Sequence, residues 1–233
     1  MKSNRKPGMR GYAALVMLLL FMLPMSSQGA ETDSDRVIEA DNVLTEIMAI
    51  PESAIPFNLL GNAYGIAIIP RVIKAGFVIG ARHGTGVVCV RDSSGRWSNP
   101  SFISLSGGSL GWQIGGQSTD VILVFRSPRS IEGLMRGKFI LGADAAVAVG
   151  PVGRRVEGAT DAALKAEILS YSRTRGFFAG ISLEGSALRI DYNGNAAYYN
   201  QPYIRIEEIF NNPGIAAPQS ALQLRRSLET HAP

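Results

Sequence analysis

The sequence YGIAIIPRVIKAGFVIGARHGTGVVCVR, residues 64–91 of the 233-residue chain, gives the clearest indication of the fold. Runs of β-branched and apolar residues alternate here with Gly and Pro, a pattern typical of short strands joined by turns. The same pattern continues for another thirty or so residues. We expect strands at residues 65–69, 76–81, 86–91, 102–105, 110–115 and 121–125. The predicted hairpin turns are His83-Gly84-Thr85 and Ser93-Ser94-Gly95.

Helices are predicted on both sides of this region. Apolar residues recur at spacings of three and four over residues 34–49, which indicates an amphipathic helix that Pro51 ends. A second helix, over residues 127–135, has a Pro near its first turn and Gly137 just after its end. Further along, the patterns predict strands at 138–149, 167–173 and 176–183, a weak helix at 186–200, and short helices at 204–210 and 220–230. The sequence therefore predicts an α+β fold: a Gly-rich, mainly antiparallel sheet that could curl into a barrel, with flanking helices at both ends.

The first thirty residues have the three-part pattern of a secretory signal peptide. Four basic residues precede an apolar run at 12–25, and small or polar residues follow up to Ala30. We expect residues 1–30 to be removed on export, with an uncleaved anchor as the alternative. Residues 31–212 would then form one domain, followed by a loosely held tail at residues 213–233. The expected location is the periplasm or cell envelope, at the periphery of a membrane.

The charge of the chain is distributed unevenly. Removal of residues 1–30 takes away four of the 23 basic residues and none of the 19 acidic ones, so the net charge falls to zero. This balance argues against a nucleic-acid-binding protein. Residues 31–70 hold one Arg against seven acidic residues, whereas residues 71–175 hold 14 basic against seven acidic ones. This distribution has two interpretations, which are compatible with each other. In the first, the acidic segment folds back onto the basic one; in the second, part of the basic segment faces an anionic partner such as lipid headgroups.

Catalytic motifs give no support to an enzyme. Residues 107–111 match the G-x-S-x-G nucleophile motif around Ser109, but a strand-like pattern follows, and the only later His in the sequence is His231. A Gly-rich hairpin turn is the preferred interpretation of this segment. With two His and one Cys, neither a zinc site nor a disulfide is expected, and Cys89 is interpreted as a core residue. We therefore expect a protein that is not an enzyme and uses no cofactor or metal.

Pairs of cations at predicted turns instead suit the binding of phosphate groups. Arg and Lys attract phosphate by charge and by hydrogen bonds, and Arg can donate two parallel ones. The five pairs are Arg71 with Lys74, Arg126 with Arg129, Arg136 with Lys138, Arg154 with Arg155, and Arg173 with Arg175. For any single pair, a solvated surface or an internal salt bridge is the simpler interpretation. Five pairs in one segment favour an anion-binding surface.

Several longer motifs carry a family resemblance. They are YGIAIIP at 64–70, SGGSLGWQIG at 106–115, QSTD at 117–120, RGKF at 136–139, LGAD at 141–144 and AEILSYSRTRG at 166–176. Together they make residues 35–200 similar to the SYLF domain family, a lipid-binding module. The resemblance implies membrane-lipid binding; eukaryotic members bind phosphoinositides and in some cases actin. For an exported member of bacterial type we expect anionic phospholipid instead.

The expected function is thus non-enzymatic binding of anionic phospholipid headgroups at a membrane surface of the cell envelope. The family's lipid contacts are attributed to basic surface and an amphipathic N-terminal segment. Here the segment at 34–49 is acidic, which directs the prediction to the basic centre of the chain. The predicted headgroup-binding residues are Arg71, Lys74, Arg136, Lys138, Arg173 and Arg175. The alternative is an envelope structural or protein-interaction module that uses the same sheet face. No oligomeric state is predicted.

Overall fold

The computed structural model describes residues 32–50, 54–76, 79–110, 117–152, 163, 165–174, 177–179, 181–212 and 214–232. The helices in these residues are α1 (Asp33–Met48), α2 (Phe57–Gly61), α3 (Pro128–Met135), α4 (Tyr192–Tyr198), α5 (Ile206–Asn211) and α6 (Gln219–His231). The strands are β1 (Gly65–Gly76), β2 (Ile79–Val90), β3 (Ser101–Leu110), β4 (Gln117–Phe125), β5 (Lys138–Ile140), β6 (Val147–Val149), β7 (Ile168–Thr174), β8 (Phe177–Ala179) and β9 (Ala187–Ile190). The predicted signal peptide lies outside the described residues.

The strands form one mixed, mainly antiparallel sheet. Their order is β5-β9-β3-β2-β1-β4-β7-β6, and β8 pairs with β7 outside this path. The pairing of β6 with β7 is parallel, and the other pairs are antiparallel. Along the described strands the path ends at β5 and β6, so the sheet is a half-barrel rather than a closed barrel. The predicted α+β class with helices at both ends is confirmed.

Helix α1 confirms the prediction for residues 34–49 almost residue for residue. It begins with a capping box, in which the Thr32 hydroxyl accepts from the Asp35 N–H and the Asp35 carboxylate accepts from the Thr32 N–H. Its apolar face is buried, with Val37, Leu44 and Ile47 fully shielded from solvent. This face packs against β1, β2 and α6. The 3.6-residue spacing of apolar residues in this part of the sequence therefore marks the helix face that packs against the core.

Strand β2 runs straight through the predicted turn at residues 83–85, so that prediction is wrong. Its register with β3 is continuous from Ile79 opposite Leu110 to Val88 opposite Ser101. The glycines serve close packing instead of a turn. A Cβ at Gly86 would lie 2.1 Å from the backbone oxygen of Ile68. Any residue other than Gly would therefore clash with the backbone of β1 at this position.

Other predicted elements differ from the structure in the same region and beyond. Strand β3 unites the predicted strand 102–105 with Gly107 and Gly108, so this part of the G-x-S-x-G segment is a strand and not a turn. The rest of the predicted strand 110–115 lies outside the described residues. The predicted strand 138–149 is two short strands, β5 and β6. The weak helix pattern at 186–200 is strand β9 followed by helix α4, because buried Leu188 and Ile190 alternate with exposed Arg189.

The C-terminal residues are held firmly, which corrects the expected loose tail at residues 213–233. Helix α6 packs against α1, and its Leu224 and Leu228 are fully buried. The backbone oxygen of Ala232 accepts a hydrogen bond of 3.1 Å from the Trp97 indole N–H. It also accepts one from the guanidinium of Arg91, which stacks over the Trp97 ring. The short helix predicted at 220–230 is confirmed as α6, and its buried apolar residues complete the core.

One hydrophobic core connects these elements, and it draws residues from α1 through to Ala232. Residues Thr32–Pro233 form a compact unit. Among the described residues, no helix combines the length and the apolar character that crossing a bilayer requires.

We expect Leu224→Ala to lower the free energy of unfolding by about 3 kcal/mol, because it removes buried methyl groups and leaves a cavity between α6 and α1. Urea unfolding followed by circular dichroism measures the change. The control is Arg226→Ala, which alters an exposed side chain of the same helix. Equal stability of the two variants would contradict the packed position of α6.

The Cys89 thiol should be inert in the folded protein. It is 2% exposed, and burial raises its pKa to about 12. The reactive thiolate is therefore scarce at neutral pH. A thiol reagent at pH 7 should label the denatured chain fully and the native chain negligibly. Rapid labelling of the native protein would show that the strand around Cys89 opens readily.

Candidate functional site

The acidic helix α1 pairs with part of the basic centre. Arg173, on β7, donates from Nη2 to Asp120 Oδ2 at 2.9 Å and forms a second ion pair with Glu46 of α1. Burial lowers the pKa of the Arg173 guanidinium, but the hydrogen bonds and charges of Glu46 and Asp120 outweigh burial, so the net pKa is raised. The carboxylates of Glu46 and Asp120 thus neutralise the Arg173 guanidinium, which was predicted to bind a lipid headgroup.

Arg71 belongs to the same internal network. Its backbone N–H donates to Asp120 Oδ1 at 3.0 Å, and its guanidinium pairs with Glu39 of α1. The residue sits in a bulge of β1 between Ile69 and Val72 and has a φ of 48°. Asp120 therefore joins the backbone of Arg71 to the side chain of Arg173. The fold-back of the acidic segment onto the basic centre, one of the two interpretations of the charge pattern, is a feature of the structure.

Lys74 and Arg175 are two further residues of the predicted headgroup-binding set. Lys74 lies on β1, opposite Arg82 of β2 and Gln117 of β4. It is half-buried and interacts with the rest of the chain. Arg175 lies outside the described residues. Of the pairs near a helix start, Arg126 donates to the backbone oxygens of Ala163 and Ala166, at 2.9 and 3.1 Å, so this cation is also used internally.

Arg136 and Lys138 are placed differently. Arg136 caps the C-terminus of α3, Gly137 reverses the chain with a φ of 101°, and Lys138 begins the edge strand β5. Lys138 lies directly opposite Arg189 of β9 in the antiparallel ladder. All three cations are exposed, and none forms an ion pair with any residue that the structure describes. We call Arg136, Lys138 and Arg189 the basic edge.

Sequence reasoning missed Arg189 for a clear reason. The residues around it were interpreted as a helix, in which Arg189 would have no fixed relation to Lys138. The alternation of Leu188, Arg189 and Ile190 was the available signal, since a two-residue period indicates a strand with one exposed face.

A groove of about 520 Å³ adjoins the basic edge. Its lining includes Met135, the last residue of α3, and Tyr192, the first of α4. A Cβ built on Gly137 would lie 3.5 Å from the Tyr192 hydroxyl, so the groove and the basic edge are immediate neighbours. The remaining lining residues are Asn193, Ala196, Pro202, Tyr203, Ile204, Arg205, Ile206 and Glu207. We call this surface the tyrosine groove.

Two observations bear on catalysis and metal binding. Gly107 and Gly108 of the G-x-S-x-G segment belong to a regular strand paired with β2, not to a strand-to-helix elbow. The described residues contain no group of three or more His, Cys, Asp or Glu side chains that could hold a metal ion.

Comparison with known proteins identifies the family. A family model described as "Ysc84: Las17-binding protein actin regulator" matches residues 106–231. The chain is 37% identical over 198 residues to SH3 domain-containing YSC84-like protein 1 of Xenopus laevis, covering 82% of this chain and 58% of that protein. It is 33% identical over 184 residues to Protein YSC84 of Saccharomyces cerevisiae, covering 78% of this chain and 39% of that protein.

The chain therefore belongs to the Ysc84 family, whose domain is the SYLF domain, and the resemblance found in the sequence is confirmed. The human SH3 domain-containing YSC84-like protein 1 is 37% identical over 163 residues, which are 70% of this chain and 47% of that protein. The chain spans about half the length of the curated relatives it matches. The family is described by what it binds and regulates rather than by a reaction.

Arg173→Ala should lower the free energy of unfolding by about 2 kcal/mol, because it leaves Asp120 without a charged partner at a site where little water can replace it. The control is Arg136→Ala, whose side chain is exposed and has no ion-pair partner among the described residues. Urea unfolding of both variants measures the difference. If Arg173→Ala were as stable as the control, the internal network would not contribute to the fold.

Proposed function

We propose that this protein is a non-enzymatic module that binds anionic phospholipid headgroups at a membrane surface of the cell envelope, as a peripheral protein. The observation that carries the proposal is the basic edge, where Arg136, Lys138 and Arg189 are exposed together without an ion-pair partner among the described residues. The signal-peptide pattern of residues 1–30 supports the envelope setting. The family description supports a binding module rather than a catalyst.

The physical argument is one of charge that remains available. Each Lys or Arg near an anionic membrane surface contributes about 1 kcal/mol of attraction. A cation already paired inside the protein contributes less, since its charge is neutralised before the membrane is met. Arg71 and Arg173 are paired in this way with Glu39 and Glu46. The proposal therefore keeps Arg136 and Lys138 from the predicted set and adds Arg189.

The local geometry also suits a flat, charged surface. Lys138 and Arg189 face each other across two paired strands, where opposite side chains lie about 5 Å apart. Arg136 lies two residues before Lys138, across the turn at Gly137. Like charges at this spacing repel each other, and an anionic phosphate between them removes the repulsion. A phosphate-bearing surface is thus a better partner for this edge than a neutral one.

The first test is co-sedimentation with liposomes, using residues 31–233 so that the basic signal segment makes no contribution. Phosphatidylcholine vesicles are compared with vesicles of increasing phosphatidylglycerol content. Binding should rise with the anionic fraction and weaken with added salt. Arg136→Ala combined with Lys138→Ala should lower the affinity about 30-fold, from about 1 kcal/mol per cation.

The matched control is Lys165→Ala combined with Arg226→Ala, which removes the same charge from one Lys and one Arg that are exposed, lie outside the basic edge and form no ion pair among the described residues. An equal loss in the control would show that net charge, and not the basic edge, drives binding. Absence of binding to every vesicle by the folded protein would overturn the proposal. It would favour the alternative, an envelope protein that binds a protein partner through the same face.

A further inference from the structure

Tyr203 combines an unusual backbone conformation with almost complete exposure. Its φ is 67°, in the left-handed region that bulky residues rarely adopt. Its side chain is 96% exposed, the largest value among the exposed large hydrophobic residues of the described chain. The turn thus exposes an aromatic ring to solvent while its backbone adopts a strained conformation. Residues in strained backbone conformations cluster at active sites and ligand-binding sites.

The surface around Tyr203 is apolar. Tyr192, the first residue of α4, also lines the tyrosine groove and is 52% exposed. Met135, Ala196 and Pro202 supply further apolar lining. Exposed apolar side chains that cluster in this way, unlike single scattered ones, are found where a protein meets another molecule or a membrane.

The charges near the groove select the kind of partner. Arg205 and Glu207 on its rim pair with each other at 3.3 Å, so together they add no net charge. Asp191, next to Tyr192, pairs with Arg36 at 3.2 Å and shares this cation with Asp33 of α1. Glu132 is the exposed acidic residue of α3, one turn before Arg136. Glu208, next to Glu207, is a second exposed carboxylate, on the side of the groove formed by α5. The three cations of the basic edge lie on the opposite side, by Met135 and Tyr192, where they outnumber Glu132, so this side of the groove is positive.

We propose that the tyrosine groove is the part of this protein that enters the bilayer. The rings of Tyr203 and Tyr192 insert to the level of the lipid glycerol groups, while the basic edge beside them contacts the headgroup phosphates. This inference rests on the proposed lipid-binding function and adds its orientation: the face with β5, β9 and the start of α4 meets the membrane.

The chemistry of tyrosine fits this position. The apolar ring is stabilised among acyl chains and the hydroxyl keeps contact with water, which is why Tyr is enriched at membrane interfaces. Cations near such rings reach the phosphate layer with their charged ends while their stems stay in apolar surroundings. Aromatic side chains next to Arg and Lys, on a positive surface, are therefore complementary to an anionic bilayer.

The test uses a fluorophore at position 203 in residues 31–233. Cys89 is buried and does not compete for a maleimide reagent, so Tyr203→Cys can be labelled selectively with an environment-sensitive dye. The matched control is Tyr64→Cys, which carries the same dye at a half-exposed Tyr outside the groove. Both proteins are mixed with vesicles of equal parts phosphatidylcholine and phosphatidylglycerol, and co-sedimentation is measured on the same samples.

We expect the emission at position 203 to shift to the blue on these vesicles and to be quenched by lipids brominated on the acyl chains. The emission at position 64 should remain as in water. In parallel, Tyr203→Asn should weaken vesicle binding about five-fold by removing the ring. Asn tolerates the left-handed backbone, so the turn itself is retained. Tyr64→Asn should bind like the unaltered protein.

Three results would overturn the inference. If the protein co-sediments with the vesicles but position 203 stays in water, lipid binding stands and the groove is not the contact. If positions 203 and 64 shift equally, contact with the bilayer does not distinguish the groove. If no variant and no unaltered protein co-sediments, the proposed function fails and the inference fails with it.

Discussion

Strand β1 is interrupted by a bulge between Ile69 and Val72, at the centre of the sheet. It is fixed from the neighbouring strand by Asp120, which accepts the Arg71 N–H at 3.0 Å. Room for it comes from Gly86, where any side chain would strike the Ile68 backbone. A bulge bends its strand and increases the twist, so the long β1 and β2 strands curve into a half-barrel. The same bulge presents the Arg71 side chain to α1.

Helix α1 connects this curvature to the charge of the surface. Its apolar face covers β1 and β2, and its carboxylates Glu39 and Glu46 reach the cations of the bulge and of β7. The centre of the sheet is thereby neutralised. At the end of the strand order, β5 and β9 lie away from these carboxylates, and their cations keep their charge. Residues 31–233, in which 19 basic residues balance 19 acidic ones, thus have a positive edge. The binding proposed for the protein is supported by this local surface charge and not by a net charge.

Patterns with a strong local period were predicted well. These patterns involve residues close together in the chain, so they can be recognised in the sequence. They are the 3.6-residue period of α1, the apolar run of β4, and the Pro and Gly at the ends of α3. The glycines led to a wrong turn prediction, because the sequence does not distinguish a Gly that allows a close backbone contact from a Gly in a turn. Of the predicted site, Arg136 and Lys138 are exposed, whereas Arg173 is used inside the protein. Arg189 was missed along with its strand.

The α+β class, the family and the excess of basic over acidic residues in the central segment can be inferred from the amino-acid sequence alone. These properties depend on local patterns and on residue identities. Which cations remain free to bind a partner depends on the three-dimensional fold, because an ion pair requires proximity in space and its partners can be far apart in the chain. Glu46 and Arg173 are separated by 127 residues and yet form a hydrogen bond. The nearness of the tyrosine groove to the basic edge was decided in the same way, since α3, β5 and α4 meet only when the sheet is formed.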